Sequence, residues 1–214
     1  MKLLQTTLIS AVIWFGAIQS YSAEQEQSDL NILTKYIYAF DSFGADFKQT
    51  VYDQSGEILE ITTGIVRLKK PGKFFWSYQN PYSQYLISNG ETFWIYDEDL
   101  EQVTINNLDL SIKSSPAVIL WGNVEIEDNY VVKYIGVIDE TKWLELTPKE
   151  ENVEFNAIRL CFKNDELTGI YLLDSLGGIT EVLFSNISRN QAFNASLFEF
   201  QPPQGIDIID ITQE

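Results

Sequence analysis

No histidine occurs anywhere in this chain, and cysteine occurs once, at Cys161. The first absence removes imidazole-dependent serine or cysteine triads and every His-ligated metal site. The second removes an internal disulfide and any cysteine cluster for a metal. Bases are scarce as well: 14 Lys and Arg stand against 31 Asp and Glu, for a net charge of -17. A surface of that sign is repelled by phosphate backbones and anionic headgroups, which argues against nucleic acid and for a basic protein partner. Carboxylate pairs are inevitable among 31 acids, and no spacing singles one out as catalytic.

What is present is apolar and aromatic. Hydrophobic residues make up 45% of the 214, and aromatics 14%, enough for one domain with a sizeable core. A long apolar run occurs only at the start. Lys2 is followed by Leu3-Leu4 and by the stretch Leu8 to Ile18, then by Gln19-Ser20-Tyr21-Ser22-Ala23 and the polar Glu24-Gln25-Glu26-Gln27. This pattern predicts a cleaved secretory signal over residues 1–23, cut after Ser22 or after Ala23, and a single domain over 24–214. The run is short for a membrane anchor, and no cysteine stands at the cleavage point to carry a lipid.

Ser28-Asp29 caps a predicted helix in which Leu30, Leu33, Ile37 and Phe40 recur at helical spacing. It either packs on a core or lines a cavity from above. A second helix is expected where Ser114-Ser115-Pro116 opens the run Ala117-Val118-Ile119-Leu120-Trp121, closed by Gly122. A short helix with no polar face needs a cover of protein or ligand, and a lid is the reading favoured over plain core.

The rest alternates with period two. Strands are expected over 43–51 and about 57–69, over 73–78 beyond Pro71-Gly72, over the two arms of 86–97 on either side of Asn89-Gly90, and over 102–105, then about 131–138, 142–147, 155–163, 167–174 and 179–187. A last strand is expected to end at the double proline Pro202-Pro203. The central breaks are Pro71-Gly72, Asn80-Pro81 and the hairpin signal Asn89-Gly90. Alternation puts Phe74, Trp76 and Tyr78 on one face, and Trp94 and Tyr96 are read as sharing a face of their strand. Phe75, Ser77, Phe93 and Ile95 are read on the opposite face. Such an aromatic wall is either ordinary core or a greasy concave surface. In 155–163, Ile158, Leu160 and Phe162 oppose Arg159, Cys161 and Lys163, which leaves the cysteine a packing role. With no long crossovers, the fold class is mainly β (α+β): a single curled antiparallel meander of about ten or eleven strands. It forms an incomplete β-barrel with a helical lid over a hydrophobic cavity.

Four blocks in this order resemble the periplasmic outer-membrane lipoprotein carrier (LolA) family. They are Phe43-Gly44-Ala45-Asp46-Phe47-Lys48-Gln49, then Lys69-Lys70-Pro71-Gly72-Lys73-Phe74-Phe75-Trp76, then the stretch from Leu86 to Tyr96, and Phe198-Glu199-Phe200-Gln201-Pro202-Pro203-Gln204-Gly205. The resemblance implies a periplasmic, monomeric carrier with no enzymatic activity and no cofactor. Its cargo would be the acyl chains of lipoproteins, received from an ATP-driven inner-membrane exporter and passed to an outer-membrane acceptor. It implies lipid contact at Phe74 and Trp76, and a lid at 116–120. Leu86, Trp94, Leu33, Ile37 and Ile119 complete the expected cavity. Where the family usually has an arginine latch before the proline, this chain has Lys70, a mobile ammonium instead of a planar fork. Arg67 is expected on the other face. Three alternatives stay open: the membrane-anchored acceptor of the same pathway, a lipid-sensing domain of an envelope signalling complex, and an enzyme acting on lipids or glycans.

Overall fold

The computed structural model describes residues 31–35, 40–107, 126–150 and 155–212. Among the described residues, twelve strands make one curled, open sheet. They are β1 (Ser42–Tyr52), β2 (Ile58–Lys69), β3 (Lys73–Asn80), β4 (Gln84–Asn89), β5 (Thr92–Asp97) and β6 (Gln102–Asn107). Then come β7 (Tyr130–Ile138), β8 (Thr141–Pro148), β9 (Phe155–Lys163), β10 (Glu166–Asp174), β11 (Ile179–Arg189) and β12 (Asp207–Asp210). The spatial order is β12-β6-β5-β4-β3-β2-β1-β11-β10-β9-β8-β7.

The expected single meander is therefore corrected. Two meanders, β1 to β6 and β7 to β11, are joined by the long-range pairing of β1 with β11, with Phe47 opposite Phe184. The expected terminal strand is corrected too. Residues 195–198 form a 3-10 turn, capped by Asn194, whose Oδ1 accepts from the Ser196 N–H at 3.1 Å. The strand comes after the prolines, and β12 pairs parallel to β6. Two adjacent prolines lack the N–H groups a ladder requires, so pairing resumes only beyond them.

Turn chemistry sets the hairpins. Asn89 Oδ1 accepts from the N–H groups of Glu91 and Thr92 at 3.0 Å, and Gly90 takes φ 102° between them. Asp53 Oδ1 closes the β1–β2 turn by accepting from Ser55 N at 2.8 Å and Glu57 N at 2.9 Å. Asn164 and Asp165 both take left-handed φ values, the geometry of a tight two-residue hairpin.

Curvature comes from register shifts, which bend and twist a strand locally. One lies between Thr63 and Gly64 opposite β3. A Cβ on Gly64 would stand 1.8 Å from the Ser77 carbonyl oxygen, so only glycine lets β2 approach β3 there.

Helix is sparse among the described residues: 31–35, the single turn Ile126–Asn129 and the 3-10 turn. Leu33 and Phe40 are buried against the sheet, as is Ile126. The expected first helix is thus seen only in part. Ile37, and the expected lid at 114–122 with Ile119, lie outside the described residues.

Candidate functional site

Strand pairing decides which side chains share a face. Phe74 pairs with Ser88 and Ser88 with Phe93; Trp76 pairs with Leu86 and Leu86 with Ile95. Paired residues stand on the same side of a sheet. The inner face of β3 to β5 therefore carries Phe74, Trp76, Tyr78, Leu86, Phe93 and Ile95. Phe43, Ala45 and Phe47 of β1 continue it, with Val66 and Leu68 of β2.

The second meander completes this surface with Leu144, Leu160, Ile170, Val182 and Phe184. Sequence reasoning left this half out of the candidate site. Its signal was the alternation of Ile158, Leu160 and Phe162, correctly read as one face but not joined to Trp76. The joining element is the β1–β11 ladder, which brings Phe184 within 6.4 Å of Trp76, ring centroid to centroid.

Trp76 is the hub of the inner face. Its ring lies 4.4 Å from Phe47, 6.1 Å from Phe74 in a stacked arrangement, and 6.2 Å from Tyr78. Phe74, Trp76 and Leu33 are each 1% exposed, and Leu86 is half-buried against the same cluster.

Trp94 is not part of it. Trp94 pairs with Ile87 and Ile105, so it stands on the outer face, contrary to the expectation that put it in the cavity. There it packs with Ile87, Val103, Tyr85, Tyr96 and Phe200 in a separate, smaller cluster. Phe93 and Ile95 take the inward places. A one-residue difference in register reverses every side chain of a strand, and alternation alone does not fix the register.

The apolar inner face contains a polar spot. Trp76 Nε1 and Thr62 Oγ1 are buried without a hydrogen-bond partner among the described residues. The Tyr78 hydroxyl, beside the Trp76 indole, donates to Gln49 Oε1 at 3.3 Å. Gln49 is directly opposite Thr62 on the β1–β2 ladder. Burial, with the Tyr82 phenol beside it, pushes the Tyr78 hydroxyl well above the ordinary tyrosine range.

At the rim, the Lys70 ammonium lies 4.4 Å from the centre of the Phe40 ring. Burial lowers its pKa, against the pull of the Asp41 carboxylate. Arg67 points to the outer face as expected, donating through Nη1 to the carbonyls of Ala45 and Val66 at 2.8 and 2.7 Å.

The outer face carries the polar pairs. Arg159 Nε donates to Glu145 Oε2 at 2.8 Å, next to the contact of Trp143 with Tyr171. Cys161 is buried on this side, 3.7 Å from Thr168 Oγ1, and burial pushes its thiol up, away from the reactive thiolate. A hollow of about 520 Å³ is lined by Asp46, Lys48, Thr63, Ile65, Gln79 and Leu183, and is also bordered by Phe47 and Phe184, but by none of the site residues expected from the sequence. Among the described residues no group of three or more Asp, Glu or Cys side chains could hold a metal ion.

The profile of the outer membrane lipoprotein carrier protein LolA matches residues 39–201, most of the sheet. An outer-membrane lipoprotein carrier protein of Chromobacterium violaceum is 37% identical over 209 residues, covering 98% of this chain and 98% of that one. One from Nitrosospira multiformis is 40% identical over 166 residues, covering 77% of this chain and 80% of its own. In structure, a LolA superfamily protein of Nitrosomonas europaea superposes with a TM-score of 0.52 at 15% identity, covering 82% of this chain and 98% of the other.

Proposed function

The chain belongs to the outer membrane lipoprotein carrier protein (LolA) family, and from that premise we propose that it shelters lipoprotein acyl chains on the inner face of its sheet. The observation that carries the reading is the continuous apolar inner face centred on Trp76, contributed by both meanders and kept out of water.

The physical task is large. Each methylene withdrawn from a lipid environment costs about 0.8 kcal/mol in water, so one chain of about sixteen carbons needs roughly 12 kcal/mol of compensation. An apolar surface of several strands can offset most of this. Release then requires that the loaded state be only slightly preferred. A face that closes on itself when empty meets that requirement, because admitting lipid sacrifices contacts already made, such as those of Leu33 and Phe40.

Phe74, Trp76, Leu86 and Leu33 are assigned to acyl contact, joined by Phe47 and Phe184. Ile37 and Ile119 keep that assignment as a proposal from the sequence, with 116–120 as the lid. Lys70 is assigned to the latch, through its ammonium over Phe40. The protein would act in the periplasm as a monomer after loss of residues 1–23. It would take cargo from an ATP-driven inner-membrane exporter and pass it to an outer-membrane acceptor. Its acidic surface suits a basic docking partner at either step. No bond is made or broken in this role. Among the described residues no helix is long and apolar enough to cross a membrane.

The test is recovery of the protein from envelope extracts followed by analysis of what accompanies it. Acylated peptides bound in stoichiometric amount support the reading; a lipid-free protein that also refuses acylated peptide in vitro contradicts it.

A further inference from the structure

We propose that the polar spot formed by Trp76, Thr62, Tyr78 and Gln49 receives the carbonyl group at the head of an acyl chain, so that cargo is held at its linkage as well as along its tails. This rests on the acyl-carrier reading above and adds to it a recognised chemical group.

The argument starts from two orphaned groups. Trp76 and Thr62 are each 1% exposed, and Trp76 Nε1 and Thr62 Oγ1 have no hydrogen-bond partner among the described residues. Buried donors without acceptors are rare in folded proteins, because each has given up its bond to water for nothing. The Tyr78 hydroxyl beside the indole donates its hydrogen to Gln49 Oε1, and its oxygen is not placed to accept from the indole N–H. The spot therefore holds a buried indole donor that no acceptor among the described residues meets in bonding geometry.

An acyl chain supplies what is missing. Its tail is hydrocarbon, and the strong acceptor at its head is the carbonyl oxygen of its ester or amide link, against which an ether oxygen is weak. The tail would lie along Phe47, Phe74 and Phe184, whose rings surround Trp76, while the carbonyl oxygen accepts from the Trp76 N–H. Thr62 and Gln49, paired across β1 and β2 on the Tyr78 side, offer a second donor for a neighbouring linkage. A hydrocarbon without a carbonyl would leave the orphans unpaired. The site thus distinguishes an acyl group from an alkyl group of equal length.

The experiment compares two probes on the intact protein: a dipalmitoyl-glyceryl-cysteine peptide, and its dihexadecyl ether analogue, in which both carbonyls are replaced by methylenes. Wild-type protein is expected to bind the ester probe about five- to tenfold more tightly, the worth of one buried hydrogen bond. Trp76→Phe keeps an aromatic ring but removes the N–H. It is expected to bind both probes alike, at the ether affinity, while Thr62→Val narrows the preference. Equal binding of the two probes by the wild type would overturn the proposal, as would a full preference retained by Trp76→Phe. The wild-type comparison decides the matter even where a variant folds poorly. Failure of the wild type to bind either probe would remove the carrier reading itself, a result distinct from binding without discrimination.

Discussion

Trp76 and Trp94 lie on opposite faces of one sheet, on strands separated only by β4: Trp76 pairs with Leu86, whose other partner is Ile95, the neighbour of Trp94. The two tryptophans therefore belong to different cores. Replacing either by alanine is expected to cost about 3–5 kcal/mol of stability, the usual range for a buried aromatic. Only Trp76→Ala should also abolish acyl-peptide binding. Trp94→Ala, which loosens the packing of Phe200 and Tyr96, should bind normally below its lowered melting temperature. Parallel thermal melts and binding titrations of the two variants check this.

Gly64 is a backbone requirement. Its Cβ would stand 1.8 Å from the Ser77 carbonyl oxygen, which belongs to the paired strand and cannot step aside. Gly64→Ala is expected to destabilise the fold by about 2–4 kcal/mol, a fall of roughly 5–15 °C in melting temperature for a chain of this size. Gly56→Ala, in an exposed turn with open space around it, should lose far less despite its φ of 83°. Calorimetry of the two variants separates close approach from turn strain.

Much of the fold was legible in the sequence because strands and hairpins are local. The alternation over 43–51 and 155–163, and the Asn89-Gly90 turn, each mark one element or one neighbouring pair. Three features were not legible. The β1–β11 seam pairs residues more than a hundred positions apart, and no local pattern encodes it. The face of Trp94 depends on the register of β5 against β4, which alternation does not determine. The inner half contributed by Leu144, Leu160, Ile170 and Phe184 was visible as strand core but unassignable to the site without that seam. The family resemblance supplied the assignment of Phe74 and Trp76 to lipid and of Lys70 to the latch, which stand as proposals. The orphaned Trp76 N–H is a property of packing alone.

Alkaline pH should unfold the protein. Burial, with Glu60 and Asp97 nearby, pushes the Tyr82 hydroxyl up to about 12, and Tyr78, Tyr130 and Tyr171 are also raised, chiefly by burial. A hydroxyl with a higher pKa folded than unfolded binds its proton more tightly in the native state. Its stabilisation is complete below pH 10 and is lost as pH rises through 10 towards 12 and beyond. Denaturant midpoints measured from pH 8 to 12 should fall above pH 10. Tyr82→Phe should flatten the fall between 10 and 12.

The latch role proposed for Lys70 predicts that this residue tunes the tightness of the closed state. With its ammonium over the Phe40 ring, Lys70→Ala is expected to lose about 0.5–1 kcal/mol and to take up acylated peptide faster. Lys70→Arg, which puts a planar five-donor fork in place of the mobile ammonium, should slow uptake. Stopped-flow kinetics with a fluorescent acyl peptide reads both, and equal rates for all three proteins would remove the latch role.

Docking should depend on salt. A net charge of -17 attracts a basic partner over distances that ions screen, so transfer to the acceptor should slow several-fold between low ionic strength and 0.5 M salt. A flat rate would place the docking energy elsewhere.

The most direct measurement is photocrosslinking with a lipopeptide that carries a diazirine midway along one acyl chain, followed by mapping of the modified residues. Crosslinks are predicted on the inner face, at Trp76, Leu86, Phe47 and Phe184. Crosslinks confined to the outer face, at Tyr85, Trp94 and Tyr96, would contradict the claim that the concave surface carries the cargo.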